Sequence, residues 1–163
     1  MIQTSPKFSS SDIWNMAIAF EQAEKAFSND EVPVGAIIVD KHNRIISRAF
    51  NEKEKTSDPC AHAEILAIKR ASEYFQNWRL SGCRLYVTLE PCIMCMGAVV
   101  NSRIDTLVFG AYDPKGGAIS LGFNLHQNKL LNHRFNIIGG VDQLNCSRIL
   151  SNFFKQKRSF YKK

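Results

Sequence analysis

Two short stretches of this chain carry residue types suited to metal chemistry. His62-Ala63-Glu64 sets an imidazole two positions from a carboxylate, and Pro91-Cys92-Ile93-Met94-Cys95 sets two thiols three positions apart. His62, Cys92 and Cys95 can supply three ligands to one zinc ion, which takes imidazole nitrogen and thiolate sulfur in tetrahedral sites. Three protein ligands leave one position open for water, the arrangement of a catalytic zinc, and water bound there is acidified. Two thiolate donors weaken that acidification relative to an all-histidine set, so a nearby base is needed. Glu64 is the residue placed to serve. Positions two apart on an ideal helix point apart, so His62 and Glu64 converge only in the irregular first turn of a helix. The competing arrangement is a closed structural site in which Cys60, Cys83 or Cys146 adds a fourth thiolate. Cys60 is the sharpest competitor, two positions before His62.

These residues must be held by elements that the sequence outlines. Ser9-Ser10-Ser11-Asp12 offers N-caps for a helix from Ile13 to Phe27, with Ile13, Ala17, Phe20 and Phe27 near helical spacing. Val32 to Val39 is β-rich and almost wholly apolar, and Arg44 to Phe50 reads as its hairpin partner across the turn 40–43. Asn51 lies just past the hairpin, and Glu52 to Ser57 reads as a loop closed by Asp58-Pro59. A second helix spans His62 to Tyr74, a third strand Arg84 to Leu89, and a short helix Cys92 to Val100. Ile104 to Phe109 is a fourth strand, Gly110 to Gly122 is irregular, and Arg134 to Ile138 is a short fifth strand. Asp142 caps a last helix that reaches Phe153 and Phe154, followed by a basic tail. This order predicts an α/β fold, a three-layer α/β/α sandwich on a mixed five-stranded sheet, with strands three and four parallel.

The 163 residues suit one domain, taken as 1–163, with a single core. A composition of 45% hydrophobic and 22% charged residues describes a globular protein. No run of about 18 apolar residues suggests a membrane span, and the start lacks a secretory signal, so a cytoplasmic setting is expected. The five cysteines are odd in number and argue against a disulfide framework. The net charge of +6 suits an anionic partner such as nucleic acid.

The zinc motif and its surroundings resemble the bacterial tRNA-specific adenosine deaminases, which have the cytidine deaminase-like fold. The resemblance runs through Glu31-Val32-Pro33-Val34-Gly35-Ala36, Asn51, Asp58-Pro59, Leu85 to Cys92 and Ser102-Arg103-Ile104. It continues through Val108 to Ala111, Asp113 to Ala118, Asn132-His133-Arg134 and Phe153-Phe154. It implies a homodimer with one Zn2+ per subunit that converts the wobble adenosine of a tRNA anticodon stem-loop to inosine. By the resemblance, zinc-bound hydroxide would attack C6 while Glu64 shuttles protons. The resemblance makes Asn51 a base reader and sets Asp113 near the flanking ribose. It brings Asn132 and His133 over the anticodon. Lys115 and the Lys155, Lys157 and Arg158 cluster suit phosphate contacts, and Phe153 or Phe154 suits extruded bases, one of the two being expected in the core from its helical spacing with Ile149 and Leu150. Tyr112 stands where an arginine is common beside that aspartate, and Cys60 is not carried over as a ligand. Two other readings share the motif: a deaminase of a free base or nucleotide such as guanine, cytosine or deoxycytidylate, and a non-catalytic zinc-stabilised RNA-binding module.

Overall fold

The computed structural model describes residues 8–160. The hairpin strands are β1 (Gly35–Val39) and β2 (Ile45–Phe50), followed by β3 (Arg84–Leu89), β4 (Thr106–Ala111) and β5 (Asn136–Gly139). They form one five-stranded sheet in the order β2-β1-β3-β4-β5. β1 runs antiparallel to both β2 and β3, while β3, β4 and β5 are parallel, as expected for the third and fourth strands. Helices α1 (Ser10–Ser28) and α5 (Gln143–Phe160) pack on one face. The other face carries α3 (Ala63–Phe75) and α4 (Ile93–Ser102), and a single turn, α2 (Lys53–Thr56), occupies the segment expected to be loop.

Strand alternation divides the core in two. Ala36, Ile38, Leu85, Val87, Leu107 and Phe109 face α3 and α4, and Ile37, Val39, Tyr86 and Val108 face α1 and α5. The expected apolar stripe of α1 is met in half: Phe20 and Phe27 are half-buried, Phe20 against the core and Phe27 against Phe153. Ile13 is 56% exposed and Ala17 faces solvent, whereas Met16, Ala19, Ala23 and Ala26 are buried. The other half departs for a steric reason at Gly35, where a Cβ would lie 2.1 Å from the Ala19 carbonyl oxygen. The helix therefore rests its small residues on the β1 backbone. Among the described residues no helix is long and apolar enough to cross a membrane.

Sheet direction brings the metal-binding segments together. β2 and β3 both run antiparallel to β1, so both end at the same edge of the sheet. α3 follows β2 and α4 follows β3, and the two helices pack against one another. Both helices therefore begin at one edge, outside the carboxyl ends of the strands, where open α/β sheets bind ligands.

A buried polar network pins α1 on the opposite face. Asp12 accepts hydrogen bonds from Ser9 Oγ at 2.6 Å, Tyr86 Oη at 2.8 Å and Arg84 Nη2 at 2.9 Å. Burial alone would raise its pKa, but these bonds and the Arg84 charge outweigh burial and hold the carboxyl below its ordinary range. A depressed folded-state pKa gives stability that is present above the unfolded value of about 3.9 and is lost as pH falls through the folded value. Asp12→Asn is therefore expected to cost about 1–3 kcal/mol near neutral pH. Thermal melts across pH should show the gap to the parent narrowing below about pH 4.

Candidate metal centre

The turn at residues 58–61 delivers His62. Pro59 takes the second position of this turn, Ala61 N–H bonds back to the Asp58 carbonyl at 3.2 Å, and Asp58 Oδ1 accepts the Cys60 N–H at 2.8 Å. His62 is then the N-cap of α3 in extended conformation, φ −74° and ψ 149°. Glu64 lies in the first helical turn and is 4% exposed. The geometric condition on His62 and Glu64 is met because His62 is not itself helical. Cys92 holds the same rank in α4, an extended N-cap with φ −71° and ψ 172°, and Cys95 follows in the first turn. The two sequence-predicted helices thus each start one residue later than their first metal ligand.

His62 Nδ1 lies 3.7 Å from Cys92 Sγ and 3.5 Å from Cys95 Sγ, and the three ligand atoms all lie within 4.8 Å of one another. Tetrahedral zinc with sulfur at about 2.3 Å and nitrogen at about 2.0 Å sets such atoms roughly 3.6 Å apart. The residues fit the ion in donor type and in spacing. Among the described residues this is the one His/Cys/Asp/Glu cluster of its kind, and no fourth thiolate joins it. Cys60 is exposed, while Cys83 and Cys146 are buried in the cores on the two faces of the sheet, where burial pushes their thiols up to about 11 and about 12.

Electrostatics favour a charged sulfur at the start of α4. The Cys95 hydrogen bond pulls Cys92 down to about 3, against the opposing effect of burial. Cys92 in turn holds the His62 pKa up, and the same pairing together with burial raises Cys95. The helix N-terminus favours thiolate as well. Burial pushes Glu64 up to about 6, only partly offset by a backbone hydrogen bond and the His62 charge.

Asn51 belongs to the same constellation. It is 6% exposed, and its Oδ1 accepts the Ala63 N–H at 2.9 Å, between His62 and Glu64. Its Nδ2 has no hydrogen-bond partner among the described residues, which leaves a donor beside the metal site. Asp113 shapes its own turn, with Oδ1 accepting the N–H groups of Lys115 and Gly116, both at 3.1 Å. Lys115, Asn132 and Arg158 are exposed.

Two expectations are corrected. Phe153 is 5% exposed, with its ring edge-on to Phe27 and Phe154, so it is core. The exposed ring is Phe154, which shares a cleft of about 450 Å³ with Asp113, Tyr112, Leu89 and Val32 at the metal edge of the sheet. Helical spacing alone did not separate these adjacent phenylalanines. His133 is also placed elsewhere, its Nε2 within 2.8 Å of the Ile104 carbonyl and its ring stacked on Phe135. Ile104 precedes β4, at the end of the sheet away from Cys92, so the imidazole is spent on holding that end together.

Comparison with known proteins agrees with this geometry. The MafB19-like deaminase family model matches residues 9–158. A tRNA-specific adenosine deaminase of Haemophilus influenzae is 46% identical over 143 residues, covering 88% of this chain and 83% of its own. One from Bacillus subtilis is also 46% identical, over 88% of each chain. The chain belongs to this deaminase family. Within the family, a solved structure from biochemical and structural studies of A-to-I editing by tRNA:A34 deaminases superposes with a TM-score of 0.80 at 39% identity. It covers 84% of this chain and 99% of that one. The guanine deaminase of Nitrosomonas europaea shares the fold, with a TM-score of 0.74 at 22% identity, over 92% of this chain and 88% of its own.

His62→Ala, Cys92→Ser and Cys95→Ser are each expected to lower bound zinc well below stoichiometric, whereas Cys60→Ser leaves it unchanged. Elemental analysis of the purified proteins reads this directly.

Proposed function

We infer that this chain hydrolyses adenosine to inosine at the wobble position of a tRNA anticodon, releasing ammonia. The observation that carries the reading is the buried Glu64 beside a three-donor His/Cys/Cys set that gains no fourth protein ligand. A closed structural zinc has no use for such a carboxyl. The family relationship supports the choice of substrate, since the relatives named above are tRNA-specific adenosine deaminases.

His62, Cys92 and Cys95 would hold one Zn2+ per subunit, which would acidify the attacking water. Glu64 takes a proton from that water and passes it to N1 of the adenine ring. The C6–O bond forms as the water adds; Glu64 then takes the remaining proton from the new C6 hydroxyl and gives it to the amino group, which leaves as ammonia as the C6–N bond breaks and C6 becomes a carbonyl. The Asn51 Nδ2 donates to the edge of the base, and the Ala63 N–H on its Oδ1 fixes which end of the amide is the donor. Asp113 and Phe154 line the cleft for the flanking nucleotide, while Lys115 and Arg158 reach phosphates.

The whole chain, 1–163, is read as one deaminase domain working in the cytoplasm as a homodimer. Exposed Leu121, Phe123 and Leu130 supply the apolar surface that a second copy would cover.

The test is incubation of zinc-loaded protein with an anticodon stem-loop bearing wobble adenosine, with nucleoside analysis for inosine. Glu64→Ala should lower the rate by about a hundredfold or more while keeping zinc and RNA affinity. Deamination of free guanine with none of RNA would overturn the substrate assignment. The adjacent phenylalanines give a separate check. Phe153→Ala should cost about 3–5 kcal/mol of stability, whereas Phe154→Ala should leave the melting temperature near that of the parent and weaken RNA binding.

A further inference from the structure

Glu90 takes no part in the metal site, yet it is 2% exposed and both of its carboxylate oxygens are engaged. Oε2 accepts the Asp113 N–H at 2.9 Å and the Ser120 hydroxyl at 2.6 Å, and Oε1 accepts the Ser120 N–H at 2.7 Å. Among the described residues no cation pairs with it. The neighbouring backbone is tied to both the end of β4 and the same loop, because Glu90 N–H bonds to the Ala111 carbonyl at 2.8 Å and Ala118 N–H to the Pro91 carbonyl at 2.9 Å. Gly117 permits the approach, since a Cβ there would lie 2.2 Å from Glu90 Cδ.

A buried carboxylate is costly unless donors saturate it, and packing alone would be served better by an apolar residue. What the carboxylate adds is an acceptor-only group able to take two backbone N–H groups and a hydroxyl at once. All three donors belong to residues 113–120, the loop that carries Asp113 and Lys115. Glu90 itself sits directly before Pro91 and the ligand Cys92. The carboxylate thus fixes one wall of the cleft relative to the metal helix.

We propose that Glu90 is a positioning residue for the RNA: it clamps the 113–120 loop in its binding conformation, so that the loop is ordered on folding and not on association. This rests on the tRNA deaminase reading above. Preorganisation of this kind acts on substrate affinity and leaves the chemical step to Glu64 and the metal. Glu90→Gln is the informative change because it keeps shape and volume but points an NH2 donor at an N–H or O–H donor of the loop.

The test has three readouts. First, in a Glu64→Ala background that turns over too slowly to consume the probe, fluorescence anisotropy with a labelled anticodon stem-loop should show about tenfold weaker binding when Glu90→Gln is added. Second, the Asp113 and Ser120 amides should exchange faster with solvent while zinc content is unchanged. Third, with Glu64 intact, KM should rise and kcat should stay within about threefold of the parent. Ser120→Ala, at an exposed position, is expected to shift affinity the same way by less, and it keeps the inference testable should Glu90→Gln fold poorly. Loss of zinc, a fall in kcat at unchanged KM, or unchanged RNA affinity in a protein whose parent binds RNA would overturn this inference alone. Failure of the parent to bind the stem-loop would overturn the RNA reading and this inference with it.

Discussion

The constraint on which the rest depends is that two helices must begin at the same edge of the sheet with an extended residue as cap. β2 and β3 point to that edge because antiparallel β1 lies between them. His62 and Cys92 are the caps, and an N-cap side chain is free of the 3.6-residue spacing that governs a helix interior. This freedom lets an imidazole and a carboxyl two positions apart face one point. It also explains the mixed donor set. Two helix N-termini repel a cation, and the two thiolates offset that repulsion while drawing stabilisation from the same dipoles.

Around this edge the structure uses buried acceptors to hold backbone. Asn51 takes the Ala63 N–H, Thr88 takes the Gly35 N–H at 3.1 Å, and Glu31 takes the N–H groups of Glu54 and Lys55 at 3.2 and 2.8 Å. Glu90 does the same for the 113–120 loop. The apolar layers on the two faces hold the helices on the sheet but do not aim loops. Short directional bonds to buried amide, hydroxyl and carboxylate oxygens do that, and they cluster where the chemistry lies. The opposite end of the sheet carries its own ties, including the His133 bond to Ile104, and is built for closure of the fold.

Most of the fold was legible because the strands are apolar with β-branched residues and the helices are separated by clear turns. The strand count, the parallel pairing of β3 with β4 and the layering follow from that pattern. The stripe on α1 was only partly legible, because Ala19 and Ala23 face inward where the bare backbone at Gly35 lets the helix approach, and not because of their own hydrophobicity. Phe153 and Phe154 are chemically identical neighbours, and only the packing of α5 against Phe27 says which one is core.

The sequence by itself determined the ligand types, the free carboxyl and the family, since residue chemistry and close spacing carry that information without coordinates. Only the tertiary structure decided that His62 and Cys92 are caps, that Cys60 stays outside the cluster and that Glu90 serves the 113–120 loop. Those outcomes depend on residues tens of positions apart, whose meeting is set by strand direction and helix packing, and no local pattern encodes the distance between them.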